Sequence, residues 1–389
     1  MPKIEAVDRL LKRAVDDGDV PGVVAMAANR NAIIYEGAGG KREIGKDTPM
    51  TLDTVVWIAS MTKAITATAA MQLVEQGKLD LDRPASAVIP QLGKVEVLDG
   101  FDGAGKPKLR APKRAITLRH LLTHTAGFSY DIWNASIAKY MEATGTPGII
   151  SCQNAALTTP LTFDPGERWD YGINIDWAGK MVETVSGRNL EDYFRANIFG
   201  PLGMNDTAFK LTPSMRGRLS AMHQRGDNGA LQAVPFEIPQ EPEFKMGGGG
   251  LYGTAQDYLK FTQMILNDGR GNGASILKPA TVQTMAQNHI GGLLVGALKT
   301  AAPPLSNDVD VFPGMPKKWG LSFLINTEKA PTGRAPGSLA WAGLANTYFW
   351  IDRASGVAGV YLTQLLPFAD NKSLPLFANF ETEIYRSLG

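Results

Sequence analysis

The sequence has 389 residues, enough for one large or two ordinary domains with a sizeable core. Its 39 basic and 38 acidic residues almost balance, so the charge does not indicate a nucleic-acid or membrane surface as a partner. The single cysteine, Cys152, excludes an internal disulfide and a cysteine-based metal cluster.

The N-terminal part of the chain predicts a helix followed by a β-hairpin. Residues 1–20 carry apolar side chains at helical spacing among charged ones, which predicts an amphipathic surface helix. They contain no apolar signal core, and no run approaches the ~20 apolar residues of a membrane span, so we expect a cytoplasmic protein. The apolar runs 22–28 and 32–35 are joined by a short turn and predict a β-hairpin.

Ser60 and Lys63 stand at the start of an alanine-rich stretch. Residues 54–58 predict a short strand that leads into Ser60, and residues 63–76 predict a helix that stops at Gly77. The spacing of three puts Ser60 and Lys63 on one helix face, one turn apart. A serine at a helix N-terminus lies near free N–H groups that favour a developing anion, and a lysine beside it is a possible base. The other interpretation is that Ser60 is only an N-cap.

The middle of the chain predicts helices among irregular stretches. Residues 77–112 are loop-rich, and residues 128–165 hold scattered aromatic side chains among turns. Residues 200–250 are irregular, and residues 291–316 form a Gly- and Pro-rich loop long enough to border a site. Helices are predicted at 117–124, 174–186, 190–198, 255–266 and 278–287.

Strand patterns return in the last quarter. Strands are predicted at 320–326, 338–342, 347–352 and 357–364, and a closing helix at 374–388. Because strands gather at both ends, we predict an α+β fold, with one antiparallel sheet from both termini, flanking helices and an inserted, mostly helical domain. We expect an α/β domain from residues 1–80 and 205–389, a helical domain from residues 81–204, and the active site at their interface.

Two further candidate groups lie far from Ser60 in the sequence. Tyr171 follows a Pro-Gly turn, and beside a lysine ammonium its phenol would ionise below its ordinary pKa of about 10 and act as a general base. Trp341-Ala342-Gly343 lies in a predicted strand, where a backbone N–H can pair with that of Ser60 around an oxyanion. The structural alternatives are a packed tyrosine with a bonded hydroxyl and an ordinary strand glycine.

The histidines and the other glycines give no further catalytic motif. His120 and His124 stand four apart without the glutamate of H-E-x-x-H, so structural roles are favoured and no metal is expected. No serine stands in G-x-S-x-G, and no glycine pattern matches a nucleotide-binding loop. The run Gly247–Gly250 is interpreted as a tight crossing beside the sheet.

Together these segments resemble the serine β-lactamase and penicillin-binding-protein superfamily, in particular its class C-like branch. Ser60-Met61-Thr62-Lys63 matches the S-x-x-K motif, and Thr117 to Gly127 is similar to T-x-x-x-L-L-T-H-T-S-G. Tyr171 stands where the family has the tyrosine of Y-x-N or Y-S. Gly248 to Gly253, with Ala255 and Asp257, resembles G-G-L-x-S-T-x-x-D. The resemblance covers most of the chain and implies a β-lactamase/transpeptidase-like fold.

Two departures narrow the resemblance. Ile173 stands where class C lactamases carry asparagine, and Trp341-Ala342-Gly343 replaces their K-T-G. This W-x-G is similar to that of the family VIII carboxylesterases. A lysine at that strand would attract the carboxylate of a β-lactam, whereas the Trp341 ring offers an apolar surface that suits a neutral ester.

The resemblance implies acyl transfer in two steps without a metal or cofactor. Ser60 is the nucleophile, and Lys63 and Tyr171 share the role of base, either of them taking the proton first. The amides of Ser60 and Leu344 form the oxyanion hole, worth about 3 kcal/mol per donor. Water then hydrolyses the acyl-enzyme.

The resulting hypothesis is a serine carboxylesterase whose partner is a small to medium neutral ester. We expect substrate contacts from Trp341, Gly343, Phe128 and Tyr130. The alternatives are a β-lactamase or DD-peptidase-like hydrolase, an acyltransferase of the same fold, and a non-catalytic binding protein.

Overall fold

The computed structural model describes residues 4–389, which form eleven α-helices and sixteen strands. The strands are β1 (Gly22–Asn29), β2 (Ile33–Gly40), β3 (Val56–Trp57), β4 (Val97–Phe101), β5 (Pro107–Arg110), β6 (Met222–Arg225), β7 (Leu231–Val234), β8 (Tyr252–Gly253), β9 (Arg270–Gly271), β10 (Ala274–Ser275), β11 (Lys317–Trp319), β12 (Leu324–Asn326), β13 (Leu339–Gly343), β14 (Thr347–Asp352), β15 (Val357–Leu362) and β16 (Leu365–Leu366).

The helices are α1 (Glu5–Asp16), α2 (Thr62–Glu75), α3 (Leu118–Leu122), α4 (Ala135–Thr144), α5 (Asn174–Ser186), α6 (Leu190–Phe194), α7 (Gly200–Leu202), α8 (Pro213–Gly217), α9 (Ala255–Leu266), α10 (Pro279–Met285) and α11 (Ser373–Arg386). The segment Arg195–Phe199 between α6 and α7 is π-helical. None of these helices has the length and apolar character needed to cross a lipid bilayer. The first three residues of the helix predicted at 1–20 lie outside the described residues.

The largest sheet joins strands from both ends of the chain. Its order is β11-β12-β13-β14-β15-β1-β2, and neighbouring strands are antiparallel throughout. The pairing of β1 with both β2 and β15 closes the N-terminal hairpin onto the C-terminal strands. This confirms the predicted α+β class with an antiparallel sheet built from both termini. The domain boundaries at residues 80 and 205 stay a prediction.

Helices cover both faces of this sheet. In β14 the ring of Phe349 lies 5.1 Å from Tyr258 of α9, and the ring of the next residue, Trp350, lies 5.6 Å from Phe380 of α11. Successive strand residues point to opposite faces, so α9 and α11 pack on opposite sides. Both faces of β14 and β15 are buried, which explains their continuous apolar sequences.

Helix α2 runs through the interior between the sheet and the helical part. It is buried on almost every side, which fits its alanine-rich sequence without a polar stripe. Gly77, the predicted stop, has a φ of 68° just beyond the helix, a conformation that glycine adopts without a steric cost. Ser60 does not begin the α-helix itself; it lies in a 3₁₀ turn, Ala59–Met61, that runs directly into α2.

Several elements were not predicted. The segment 128–165, expected to hold turns, contains α4, whose cap is the side chain of Asn134, bonded to the amides of Ser136 and Ile137. Only one residue of α4 is buried, so its sequence shows little amphipathic periodicity. Hairpins β4–β5 and β6–β7 lie in the predicted irregular stretches. The predicted strand 320–326 is instead a turn followed by β12.

Candidate active site

The turn that carries Ser60 is fixed from two sides. Strand β3 pairs with β8, and the side-chain amide of Gln364 both donates to the Trp57 carbonyl and accepts from the Trp57 N–H, each at 3.0 Å. Ala59, directly before the serine, has a φ of 46°, a left-handed conformation that costs free energy for a residue other than glycine. The surrounding bonds therefore hold Ala59 in a strained conformation and fix the position of Ser60 after it.

The amine of Lys63 lies at the centre of the site. Its Nζ is 3.0 Å from the Ser60 Oγ, 3.0 Å from the Tyr130 hydroxyl, and donates to the Gly248 carbonyl at 2.5 Å. The side chain is 1% exposed. Burial lowers the pKa of Lys63 to about 7, and the carboxylate of Asp176 opposes that shift. A lowered pKa favours the neutral amine, which is the form that can accept a proton from an adjacent hydroxyl.

Asp176 is linked to Lys63 through the backbone of one residue, Gly248. Its Oδ1 accepts the N–H of Gly248 at 2.8 Å, while the carbonyl of Gly248 accepts from Lys63. A Cβ at position 248 would lie 2.5 Å from the Asp176 Oδ2, so only glycine permits this contact. Burial raises the pKa of Asp176, and the charge of Lys63 opposes that rise. Asp176 was not predicted as a site residue from the sequence; its one signal there is an acidic residue among apolar neighbours in α5.

The four-glycine run differs from its prediction. Instead of crossing beside the sheet, it lies between α2 and α5: the carbonyl of Gly247 accepts from Thr66 at 2.7 Å, and that of Gly248 accepts from Lys63. The indole N–H of Trp57 donates to the carbonyl of Gly249 at 2.7 Å. The run therefore brings backbone carbonyls to the buried face of α2.

Tyr171 stands on the other side of Ser60. The indole N–H of Trp341 donates to its hydroxyl at 2.9 Å, and the Lys63 Nζ lies 4.7 Å from the centre of its ring. Burial raises the pKa of Tyr171 well above its ordinary value, and hydrogen bonds from Ser60 and Trp341 only partly oppose the rise. The easier ionisation expected beside a lysine is therefore wrong: desolvation dominates, and the phenol stays protonated.

Tyr130 and Phe128, both expected to contact substrate, have different positions. The Tyr130 hydroxyl bonds to Lys63, and its backbone N–H donates to the Tyr171 carbonyl at 3.1 Å, which places the two tyrosines side by side. Phe128 is fully buried, its ring stacked on Trp177 with centroids 6.3 Å apart. The structure therefore does not bring the Phe128 side chain into the site, because that position faces the helical core.

The end of β13 lies against the nucleophile turn. A Cβ at Gly343 would be 2.4 Å from the carbonyl oxygen of Ile58, a distance no side chain tolerates. The following residue, Leu344, lines the same cavity as Ser60. This brings together the two segments that carry the expected oxyanion donors, the amides of Ser60 and Leu344. It also explains in physical terms why position 343 is a glycine.

A narrow, mostly apolar cavity of about 40 Å³ opens beside Ser60. Its lining residues are Trp57, Ala59, Ser60, Tyr130, Ile132, Trp133, Ile149, Ile150, Met246, Gly248, Gly249 and Leu344. None of these carries a charged side chain. The cavity is therefore suited to an uncharged, apolar group attached to the atoms that react at Ser60.

His120 and His124, in the segment Thr117 to Gly127, make structural contacts inside the fold. His120 closes a reciprocal cap with Thr117 at the start of α3. His124 is fully buried, and its Nδ1 lies 3.0 Å from the Asn174 Nδ2. Over residues 4–389 there is no cluster of three or more acidic, histidine or cysteine side chains arranged to hold a metal. Both histidines are structural in position.

Comparisons with known proteins agree with one another. Residues 7–379 match the family model described as beta-lactamase. Lovastatin esterase of Penicillium rubens is 34% identical over 396 residues, 98% of each chain. Monacolin J acid methylbutanoyltransferase of Aspergillus terreus is 33% identical over 402 residues, 97% of this chain and 95% of that enzyme. The solved structure of unliganded simvastatin synthase (LovD) from Aspergillus terreus is similar with a TM-score of 0.86 at 30% identity, covering 99% of each chain.

Proposed function

The chain belongs to the beta-lactamase family of serine hydrolases and acyltransferases, and from this premise we propose that it is a serine carboxylesterase acting on small to medium neutral esters. The observation that carries the proposal is the 3.0 Å contact between the Ser60 Oγ and the Lys63 Nζ, with the lysine buried. A serine hydroxyl is a weak nucleophile until a base removes its proton. The burial of Lys63 supplies such a base.

The reaction begins with attack by Ser60 on the ester carbonyl. Lys63 takes the hydroxyl proton as the Oγ–carbon bond forms, and the amides of Ser60 and Leu344 stabilise the oxyanion. The carbon–oxygen bond to the alcohol then breaks, and the proton passes to the departing alkoxide from Lys63 or through the phenol of Tyr171. A water molecule repeats the sequence on the acyl-enzyme and releases the carboxylic acid.

A neutral ester is favoured over an anionic substrate by the absence of charge in the cavity lining. Trp341 stands where class C lactamases have the lysine of K-T-G, as in the family VIII carboxylesterases that the chain resembles. Without that cation, a carboxylate brought to the cavity would lose its hydration and find no charged side chain among the lining residues. β-Lactam hydrolysis is for this reason ranked as a side activity.

A second candidate is transfer of the acyl group to an alcohol instead of water. It is favoured by the likeness to a monacolin J acid methylbutanoyltransferase across 97% of this chain. Both reactions form the same acyl-enzyme on Ser60, so they differ only in the acceptor that enters the site. The apolar lining disfavours water near the acyl-enzyme and so helps an alcohol to compete.

The nucleophile is tested with short p-nitrophenyl esters and a fluorophosphonate probe. The wild type is expected to hydrolyse the acetate and butyrate esters and to be labelled at Ser60, whereas Ser60→Ala shows neither reaction. Ester turnover that survives in Ser60→Ala would remove the proposed mechanism. A probe that fails to label Ser60 in the wild type would favour a binding protein on the same fold.

The acceptor is tested by product analysis with a competing alcohol. We expect free carboxylic acid to be the main product if the protein is an esterase, and the new ester if it is an acyltransferase. Nitrocefin serves as the β-lactam comparison. A kcat/KM for nitrocefin above that for the esters would reverse the ranking of ester over β-lactam.

A further inference from the structure

Trp133 forms one wall of the cavity beside Ser60. Its side chain is half-buried, and its ring lies 5.9 Å from the ring of Tyr130 and 5.5 Å from that of Tyr171, measured between centroids. It thus covers both tyrosines of the site. A ring in this position limits the space available to any group attached to Ser60.

The Trp133 ring is fixed by the long loop at residues 291–316. Its indole N–H donates to the Oγ of Ser306 at 3.0 Å, and the Ser306 hydroxyl donates in turn to the carbonyl of Asn307 at 2.7 Å. Ser306 is fully buried. The N–H of Ala301 donates to the carbonyl of Ile132 at 2.7 Å, so the loop also holds the backbone beside the tryptophan.

The remainder of the cavity is apolar and has no polar group to bind a second part of a substrate. Ile149, Ile150 and Met246 contribute side chains to its wall, and the polar side chains Ser60 and Tyr130 lie at the reacting end. The acyl group becomes bonded to Ser60 in the first step and leaves only in the second, whereas the alcohol leaves after the first step and water enters in its place. We therefore assign the cavity to the acyl chain.

Building on the proposed function, we propose that Trp133 determines the length of acyl chain that the enzyme accepts, and that Ser306 is the positioning residue that holds the Trp133 ring in the cavity wall. Removing the ring extends the cavity toward the loop at residues 291–316. Longer chains then gain apolar contact, at about fourfold in affinity per buried methylene.

The test is the chain-length profile of p-nitrophenyl esters from acetate to decanoate. For Trp133→Ala, the ratio of kcat/KM for octanoate to that for butyrate is expected to rise at least about tenfold, as several methylenes become buried. Trp133→Phe shifts the ratio in the same direction by less. Ser306→Ala keeps the Trp133 indole but removes the hydrogen bond that holds it in the cavity wall. It is expected to raise the ratio about threefold, in line with the loss of one hydrogen bond.

Trp177→Phe is the matched control, because Trp177 lies outside this cavity and its indole N–H has no protein partner within the described chain. It should leave the ratio unchanged. A second ester series with a constant acetyl group and lengthening alcohols should not respond to Trp133→Ala. A response confined to that series would overturn the assignment of the cavity to the acyl chain.

The proposal also fails if Trp133→Ala and Trp133→Phe hydrolyse the butyrate ester but keep the octanoate-to-butyrate ratio of kcat/KM within twofold of the wild-type ratio. Fluorophosphonates with short and long alkyl chains give the same comparison without turnover, through their rates of labelling at Ser60. Absence of labelling in the wild type contradicts the proposed function itself. Normal labelling with an unchanged chain-length preference contradicts only the role of Trp133.

Discussion

The indole N–H of Trp341 donates a hydrogen bond to the hydroxyl oxygen of Tyr171 across 2.9 Å. The sequence analysis assigned Trp341 the role of an apolar surface for a neutral ester. In the structure its ring is half-buried, packs edge-on against Trp319 with centroids 4.6 Å apart, and holds the Tyr171 hydroxyl through this hydrogen bond. The residue in place of the lactamase lysine therefore contacts Tyr171 directly.

This contact predicts coupling between the two residues. Trp341→Phe keeps a ring but removes the hydrogen-bond donor. We expect kcat to fall about tenfold with little change in KM, because a hydrogen bond worth about 1.5 kcal/mol is lost. In a Tyr171→Phe background the same substitution should cost much less, because its partner is already gone. A double-mutant cycle on ester turnover measures this. Additive effects would show that Trp341 acts independently of the tyrosine.

Lys63 is predicted to be the base. Lys63→Ala should lower kcat/KM by about 100-fold or more, the usual contribution of a positioned base. Lys180→Ala, at a partly exposed lysine paired with Glu183, is the control and should retain wild-type turnover. Near-normal turnover in Lys63→Ala would assign the proton transfer to another group.

The burial of Lys63 predicts a pH profile. In the proposed mechanism the active form is the neutral amine, so kcat/KM should rise with pH through the Lys63 pKa of about 7 and then level off. With the ordinary lysine pKa of 10.5, the rise would continue up to about that pH. The negative charge of Asp176 raises that pKa, so Asp176→Asn should move the midpoint to lower pH. Burial lowers the pKa of His124, which therefore stays neutral over this range. A midpoint that moves upward in Asp176→Asn would contradict the electrostatic link.

Gly343 gives a test of the oxyanion donors. Gly343→Ala would place a Cβ 2.4 Å from the Ile58 carbonyl and push β13 away from the nucleophile turn. We expect kcat to fall by about 100-fold, as when one oxyanion donor is lost. Gly103→Ala, at an exposed glycine with open space around its Cα, is the control. Unchanged kcat in a folded Gly343→Ala would remove this segment from the oxyanion hole.

A buried ion pair far from Ser60 is predicted to stabilise the fold. The guanidinium of Arg334, before β13, contacts both carboxylate oxygens of Glu381 in α11, and the two side chains are 3% and 0% exposed. Glu381→Gln leaves the guanidinium buried without its counter-charge and should lower the free energy of unfolding by about 3–5 kcal/mol. Urea denaturation measures the change. A loss below about 1 kcal/mol would indicate that water reaches the arginine.

The sequence predicted the parts of the fold that short-range patterns determine. The two hairpin strands at the N-terminus, the helices at 174–186 and 255–266, and the strand at 347–352 were recognised because apolar periodicity and turn residues act over a few positions. The pairing of Ser60 with Lys63 was likewise predicted, since a spacing of three residues fixes their distance in any helical turn.

Only the tertiary structure decided which distant residues meet these two. Tyr130 and Phe128 stand two positions apart, yet one bonds to Lys63 and the other faces the helical core. Asp176 reaches the lysine only because a glycine lets two chain segments touch. These two contacts join residues 67 and 72 positions apart. They depend on how whole elements pack, which no local pattern in the sequence encodes.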